Sequence, residues 1–295
     1  MLFNIYMKPL GAVIRSFGVR SHQYADDTQL YFSFSSSSGE AVKVLNRCLA
    51  AIMDWMRANK LKLNPDKTEM LLVNGSPDQL DVRPVLDEVT LPLKEQVRSL
   101  GVLLDPSLSL EAQVASVARS AFYQFRLVAQ LRPYLDREHL VTSRLDYCSA
   151  LYVGLPLKTV RKLQLVQNAA ARLITGTKRS EHVTPILARL HWLPICFWAR
   201  FKVLVLTYKA LHGTGPQYLM ECLSRYEPTR TLCSTLKALL QMPTQKDARK
   251  ATTRKRAFSV AAPELWNTLP DEVRLAPTLL SFQRQLKTFL FAQAF

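Results

Sequence analysis

The chain has 295 residues, 48% of them hydrophobic, which is enough to bury one large or two ordinary domain cores and excludes an intrinsically disordered chain. Its formal net charge is +16, and the excess is unevenly placed. Residues 1–110 hold 12 basic and 12 acidic side chains, whereas residues 111–295 hold 27 basic and 11 acidic ones. A basic second part indicates a nucleic-acid partner, and a merely soluble basic surface is the alternative.

The cysteines and the apolar segments exclude other classes. No two of the five cysteines have zinc-ligand spacing, and their odd number argues against a disulfide framework, so we expect no disulfide partner. The N-terminus lacks the basic leading region of a secretory signal, and the apolar run over 195–211 carries three basic residues and is too short to span a bilayer. We therefore expect a nuclear or cytoplasmic protein that is not secreted and has no membrane partner.

In the first third of the chain the pattern alternates between short strands and helices. The predicted elements are, in chain order, a helix over 2–16 kinked or broken near Pro9, strands at 17–24 and 28–34 with Asp26 and Asp27 in their turn, a helix from a Ser37/Glu40 capping box to about Asn59, a strand over 68–73, and a hairpin that pairs 89–93 with 97–104.

From residue 105 the pattern becomes mainly helical. The predicted elements are a long amphipathic helix from Leu110 to Val128, a shorter helix over 138–151, a helix over 159–175 capped by Gly176, an apolar helix from Pro194 to Gly213, a short strand and turn over 257–266, and a last helix capped by Thr278. No internal repeat or heptad pattern is present.

Tyr24-Ala25-Asp26-Asp27 lies at the predicted tip of the first hairpin. Adjacent carboxylates are hard oxygen ligands for Mg²⁺ and suit phosphoryl transfer, although an isolated Asp-Asp pair is more often a solvated turn. With its surroundings, the tetrapeptide resembles the palm of a reverse transcriptase from a non-LTR (LINE-type) retrotransposon. The other segments that carry the resemblance are 2–7, 61–69, 99–102, 144–148 and 163–170.

The resemblance implies an α+β fold with a partial polymerase palm of β-hairpins and helices over 1–105, thumb-like helices over 106–180, and a basic, mostly helical C-terminal region over 181–295. It implies RNA-directed DNA polymerase chemistry in which Asp26 and Asp27 hold catalytic Mg²⁺, with Asp26 as the main direct ligand. By the same resemblance, the residues at the substrate and primer are Tyr24 and Ala25 under the primer terminus, Lys67 near the triphosphate, and Leu100 and Gly101 in the primer-grip turn.

The family also uses a third Asp and nucleotide-binding fingers upstream of the first helix, and residues 1–23 contain no acidic side chain. Two carboxylates alone do not organise the ions for in-line displacement, so we expect a C-terminal fragment that is inactive by itself. A retained, non-specific module for RNA or single-stranded DNA and an inert translated relic are the alternatives. The candidate nucleic-acid-binding residues are Lys178, Arg179, Arg249, Lys250, Arg254, Lys255 and Arg256.

Overall fold

The computed structural model describes residues 2–33, 38–75, 83–130, 145–227, 238–243 and 255–295. The chain forms two compact units, which we call unit 1 (Met1–Leu108) and unit 2 (Ser109–Phe295). Helices combine with small antiparallel sheets, which confirms the α+β class at that level. The finer domains at 1–105, 106–180 and 181–295 stay predictions.

Unit 1 combines two helices with two-stranded sheets. Its elements are α1 (Leu2–Ser16), β1 (Arg20–Tyr24), β2 (Asp27–Tyr31), α2 (Ser38–Ala58), a 3₁₀ turn (Pro65–Lys67), β3 (Val85–Leu86), β4 (Val89–Thr90), β5 (Val97–Ser99) and β6 (Val102–Leu104). α1 packs on α2 and on β1. Leu10, Ile14 and Cys48 are fully buried between these elements and anchor the core of the unit.

The first helix does not break near Pro9, where the sequence indicated a kink or break. α1 continues through Pro9 to Ser16. Proline removes the hydrogen bond to the carbonyl four residues earlier, here that of Ile5, which lies near the helix start with a well-exposed side chain. The following turns are held on the core by the buried Leu10 and Ile14, so the helix tolerates the loss.

The predicted pairing of 89–93 with 97–104 is wrong. Two separate hairpins form instead, with Leu86 opposite Val89 and Ser99 opposite Val102. Each is closed by two residues with positive φ, a combination typical of tight type I′ turns, and this local geometry replaces the longer pairing. The predicted strand over 68–73 is reduced to an isolated bridge between Met70 and Leu93.

Unit 2 is helical within the described residues. Its elements are α3 (Glu111–Gln130), a 3₁₀ turn (Ser149–Tyr152), α4 (Leu157–Thr175), α5 (Thr184–Arg189), α6 (Ile195–Leu211), α7 (Gln217–Glu221), α8 (Phe258–Asn267), α9 (Asp271–Arg274) and α10 (Leu279–Ala294). α6 is apolar on most sides and lies at the centre, in contact with α4, α8 and α10. Trp266 and Phe282 are fully buried against it. None of the helices in the described ranges is long and apolar enough to cross a bilayer.

Two predicted caps in unit 2 are confirmed. Gly176 follows α4 with a φ of +72°, and the Thr278 hydroxyl accepts the Ser281 N–H at 3.2 Å at the start of α10. The strand and turn predicted over 257–266 is wrong, because this segment forms α8 and buries Trp266.

The C-terminal end of the helix predicted over 138–151 is corrected. Residues 145 and 146 are helical, but Cys148 has a φ of +56°, a left-handed conformation that no α-helix continues through, and a 3₁₀ turn follows it. Residues 131–144 lie outside the described residues.

A shared carboxylate ties the segment before the 3₁₀ turn to α6. Asp146 accepts hydrogen bonds from Trp198 Nε1 at 2.8 Å and from Lys202 Nζ at 3.0 Å. Lys202 Nζ also lies 4.9 Å from the centre of the Trp198 ring, which makes a cation–π contact. One acidic side chain therefore fixes two side chains of the central helix.

Candidate metal-binding hairpin and nucleic-acid interface

The acidic tip is a two-residue turn. Tyr24 pairs with Asp27, so Ala25 and Asp26 are the turn residues, and Ala25 has a φ of +52°. Positive φ at the first turn position is typical of the tight turns that connect hairpin strands. Asp26 thus lies in the turn as predicted, whereas Asp27 is already the first residue of β2.

Both carboxylates of the tip are exposed to solvent. Mg²⁺ in proteins keeps several waters and binds through one or two carboxylates, so Asp26 and Asp27 fit this ion. Within the part of the chain that the structure describes, no group of three or more acidic, histidine or cysteine side chains could hold a metal ion. The tip therefore offers a metal ion two carboxylate ligands.

The acidic tip is joined to the second predicted site element. Gln29 lies two residues after Asp27 and so on the same face of β2. Its side-chain amide donates to Ser99 Oγ, and the Tyr31 hydroxyl donates to Gln29 Oε1. Since Ser99 immediately precedes the Leu100 turn, the structure brings the Asp27 strand and the predicted primer-grip turn together.

The predicted primer-grip turn has a strained backbone. Leu100 has a φ of +46° and Gly101 a φ of +80°, both in the left-handed region. Glycine adopts this region freely, whereas a leucine there costs conformational energy. Leu100 is also 37% exposed, so a large apolar side chain is presented at the turn.

Lys67 makes no polar contact with the acidic tip among the described residues. It ends a 3₁₀ turn that Asn64 caps, with Asn64 Oδ1 accepting the Asp66 N–H at 3.0 Å. The Lys67 side chain is exposed, and no hydrogen bond or ion pair among the described residues joins it to Asp26 or Asp27. Its contact with a triphosphate stays a prediction.

The structure describes four of the seven predicted nucleic-acid-binding residues. Lys178 and Arg179 are exposed on a turn after α4, and Lys255 is exposed just before α8. Arg256 is half-buried, and a Cβ added at Gly154 would lie 2.8 Å from its Cγ, so its aliphatic stem packs on that backbone. Arg249, Lys250 and Arg254 lie outside the described residues.

A basic cluster on α4 is absent from the sequence predictions. Lys158, Arg161 and Lys162 are exposed on the helix, on the side away from the buried Val160 and Leu163. None of the three forms an ion pair with a described acidic residue. Their i, i+3, i+4 spacing places them on one helical face, and that spacing was the signal available in the sequence.

Comparison with known proteins supports the class of protein suggested by this geometry. Residues 1–104 match the reverse transcriptase (RNA-dependent DNA polymerase) family. The chain is 29% identical over 172 residues to a Drosophila melanogaster protein named probable RNA-directed DNA polymerase from transposon BS, which covers 52% of this chain and 18% of that protein. No solved structure matches the chain.

These two matches support a relationship to the reverse transcriptases of retrotransposons and confirm the resemblance at that level. The family match lies within unit 1, which contains the acidic tip. The similarity to the Drosophila protein covers more residues than unit 1 holds, so it extends into unit 2. The matched region is less than a fifth of that relative's length.

Proposed function

We propose that this chain carries palm hairpins, thumb-like helices and a basic region of a reverse transcriptase from a non-LTR (LINE-type) retrotransposon. The observation that supports it best is the Asp26–Asp27 tip, joined through Gln29 and Ser99 to the turn at Leu100. This arrangement lies inside the segment that matches the reverse transcriptase family.

Asp26 and Asp27 would hold Mg²⁺, which when bound supplies neutralisation and alignment for phosphoryl transfer. Asp26 is the main proposed ligand because it lies in the exposed turn. Asp27 belongs to β2, where its strand is positioned by the bond between Gln29 and Ser99. Tyr24, which is 67% exposed beside the tip, would contact the primer terminus.

As this chain, the protein does not extend a primer. Its tip has two carboxylates, the first 23 residues contain none, and the described residues bring no third one to the tip. The test is an extension assay with a homopolymer template, a matched primer, Mg²⁺ and labelled nucleotide. Extension that disappears in Asp26→Ala but persists in Asp54→Ala, a change at an exposed acid of α2, would overturn the proposed inactivity.

The second candidate function is binding of RNA or single-stranded DNA by unit 2, weakly and with little sequence preference. The specific observation is that the whole net charge of +16 falls on residues 111–295. In the folded unit it includes exposed side chains such as Lys158, Arg161, Lys162 and Lys178. Neutralisation of phosphates by such cations releases counterions and gives affinity without sequence selection.

An anisotropy titration of the full chain with a labelled single strand at several salt concentrations tests this binding. Removing Lys158, Arg161 and Lys162 together should reduce the salt slope by up to about 2, at about 0.7 per single-strand phosphate. A matched control that removes three exposed lysines of unit 1, Lys8, Lys43 and Lys94, should leave the slope unchanged. Absence of binding even at low salt would favour the inert-relic alternative.

A further inference from the structure

We propose that the outer face of α3 is a binding surface for single-stranded nucleic acid, in which Tyr123 stacks on a base while Arg119 and Arg126 contact phosphates. This inference rests on the proposed nucleic-acid binding of unit 2. It assigns that binding a site separate from the basic residues at Lys178 and on α4.

The four side chains of this surface share one face of the helix. Arg119, Phe122, Tyr123 and Arg126 are spaced i, i+3, i+4 and i+7, so they lie within an arc of about 100°. The buried residues of α3 are on the other side, where the helix packs on α4. Among the α3 side chains that the structure describes, the buried ones are Gln113, Val114, Ala118 and Ala121.

The aromatic rings of this face are open to solvent. Tyr123 is 64% exposed and Phe122 is 39% exposed. The Phe122 ring meets the Phe125 ring edge-on, with centroids 6.1 Å apart, which holds it beside Tyr123 on the helix surface. An exposed aromatic ring on a helix surface offers a face on which an unpaired base can stack.

The charge of this face is uniformly positive. Arg119 and Arg126 are exposed one turn before and one turn after Tyr123, and neither forms an ion pair with a described residue. The acidic residue of α3 is Glu111, in the first turn of the helix. A polyanion therefore approaches Tyr123 without meeting a carboxylate nearby on the helix.

The geometry favours a single strand. Arg126 is seven positions after Arg119, which is about 10 Å along the helix axis. At the ~3.4 Å spacing of one stacked strand, that length corresponds to about three nucleotides. Aromatic stacking needs an unpaired base and accepts every base type, whereas the bases of a duplex are already stacked on each other.

The test is anisotropy binding of the full chain to a labelled oligothymidylate and to a blunt duplex that contains the same strand. Tyr123→Ala should weaken single-strand binding between about 5-fold and about 150-fold without changing the salt slope. Tyr123→Phe should retain wild-type affinity because it keeps the ring. Tyr218→Ala, at a tyrosine that is 49% exposed on α7, is the matched control and should have no effect.

The arginines are tested by the same titrations. Arg119→Ala and Arg126→Ala should each reduce the salt slope by about 0.7, since each loses one phosphate. If the wild-type chain binds and Tyr123→Ala binds equally well, the proposed α3 binding surface is refuted, whereas the proposed nucleic-acid binding by unit 2 stands. Equal weakening of single-strand and duplex binding by Tyr123→Ala also overturns the stacking role. If the full chain fails to bind at low salt, both proposals fall.

Crosslinking decides the case if a variant fails to fold. Ultraviolet irradiation of the wild-type chain with oligothymidylate, followed by digestion and mass spectrometry, should place a crosslink on an aromatic residue of α3. Crosslinks found solely outside α3 would refute the surface. Circular dichroism of each variant shows whether its helix content matches that of the wild type.

Discussion

Replacing Asp146 by alanine should destabilise unit 2 by about 2 kcal/mol. Its carboxylate accepts the indole N–H of Trp198 and pairs with Lys202, whose Nζ is 2.8 Å from the nearer oxygen. Both partners are on the central helix α6, so the substitution removes two polar contacts between α6 and the segment before the 3₁₀ turn.

The magnitude follows from the two contacts taken separately. The Lys202 and Asp146 side chains are 33% and 39% exposed, so water screens their ion pair to about 0.5–1 kcal/mol. The hydrogen bond from Trp198 adds about 1 kcal/mol. For a unit of this size, a loss of about 2 kcal/mol lowers Tm by roughly 4–8 °C. Asp146→Asn keeps an acceptor for Trp198 and should lose about 0.5–1 kcal/mol.

The assay is urea unfolding followed by tryptophan fluorescence in a Trp55→Phe background. The remaining tryptophans, at 192, 198 and 266, then all report on unit 2. A double-mutant cycle with Lys202→Met isolates the ion pair, for which we expect a coupling of about 0.5–1 kcal/mol. Glu264→Gln, a change at an exposed carboxylate of α8, is the control and should leave the unfolding midpoint unchanged.

Two results would refute this reasoning. An Asp146→Ala variant as stable as the wild type would show that α6 does not depend on the carboxylate. Zero coupling between Asp146 and Lys202 would show that the pair is fully screened by solvent.

Three further predictions concern other elements. Burial raises the pKa of Tyr152 to about 12, so its contribution to stability is complete below pH ~10 and is lost, by up to ~2.7 kcal/mol, as the pH rises through about 12. The urea midpoint of Tyr152→Phe should therefore fall less steeply over this pH range than that of the wild type. Leu100→Gly should stabilise unit 1 by about 1 kcal/mol in urea unfolding followed by Trp55, because it relieves a φ of +46°, and a loss of stability would contradict this. Amide protons of β1 and β2 should exchange faster than those of α6, since the hairpin pairs with no third strand among the described residues; slow exchange throughout the hairpin would refute it.

The long helices could be predicted from the sequence because their apolar period and their caps agree. α4 and α10 show this, with Gly176 and Thr278 at the expected ends. Strands of two or three residues could not be predicted, because they are too short to show alternation and depend on the turns that close them. The sequence pattern over α8 indicated a strand and turn. The segment is nevertheless helical, because burial of Trp266 against α6 outweighs its local propensity.

The candidate site divides in a similar way. Asp26 and Asp27 could be located because the tetrapeptide is local and lies between two strand-like runs. The bond between Gln29 and Ser99 joins residues 70 positions apart, and no local pattern encodes such a contact. The role proposed for Tyr123 could not be predicted from the sequence. The helical period identifies the buried face of α3, but the packed structure is needed to show that this aromatic side chain stays exposed.

The bond between Gln29 and Ser99 also determines when the acidic tip is complete during synthesis. Its partners are 70 residues apart, so at about 5–20 residues per second the hairpin leaves the ribosome roughly 4–14 s before its tether. Until then β1 and β2 have their own turn and the packing of β1 on α1, but they lack the Gln29–Ser99 bond on the face that carries Asp27. The smallest piece of this chain that preserves the tip therefore extends from α1 to β6, and a shorter piece that stops before Ser99 would present the two carboxylates on an untethered hairpin.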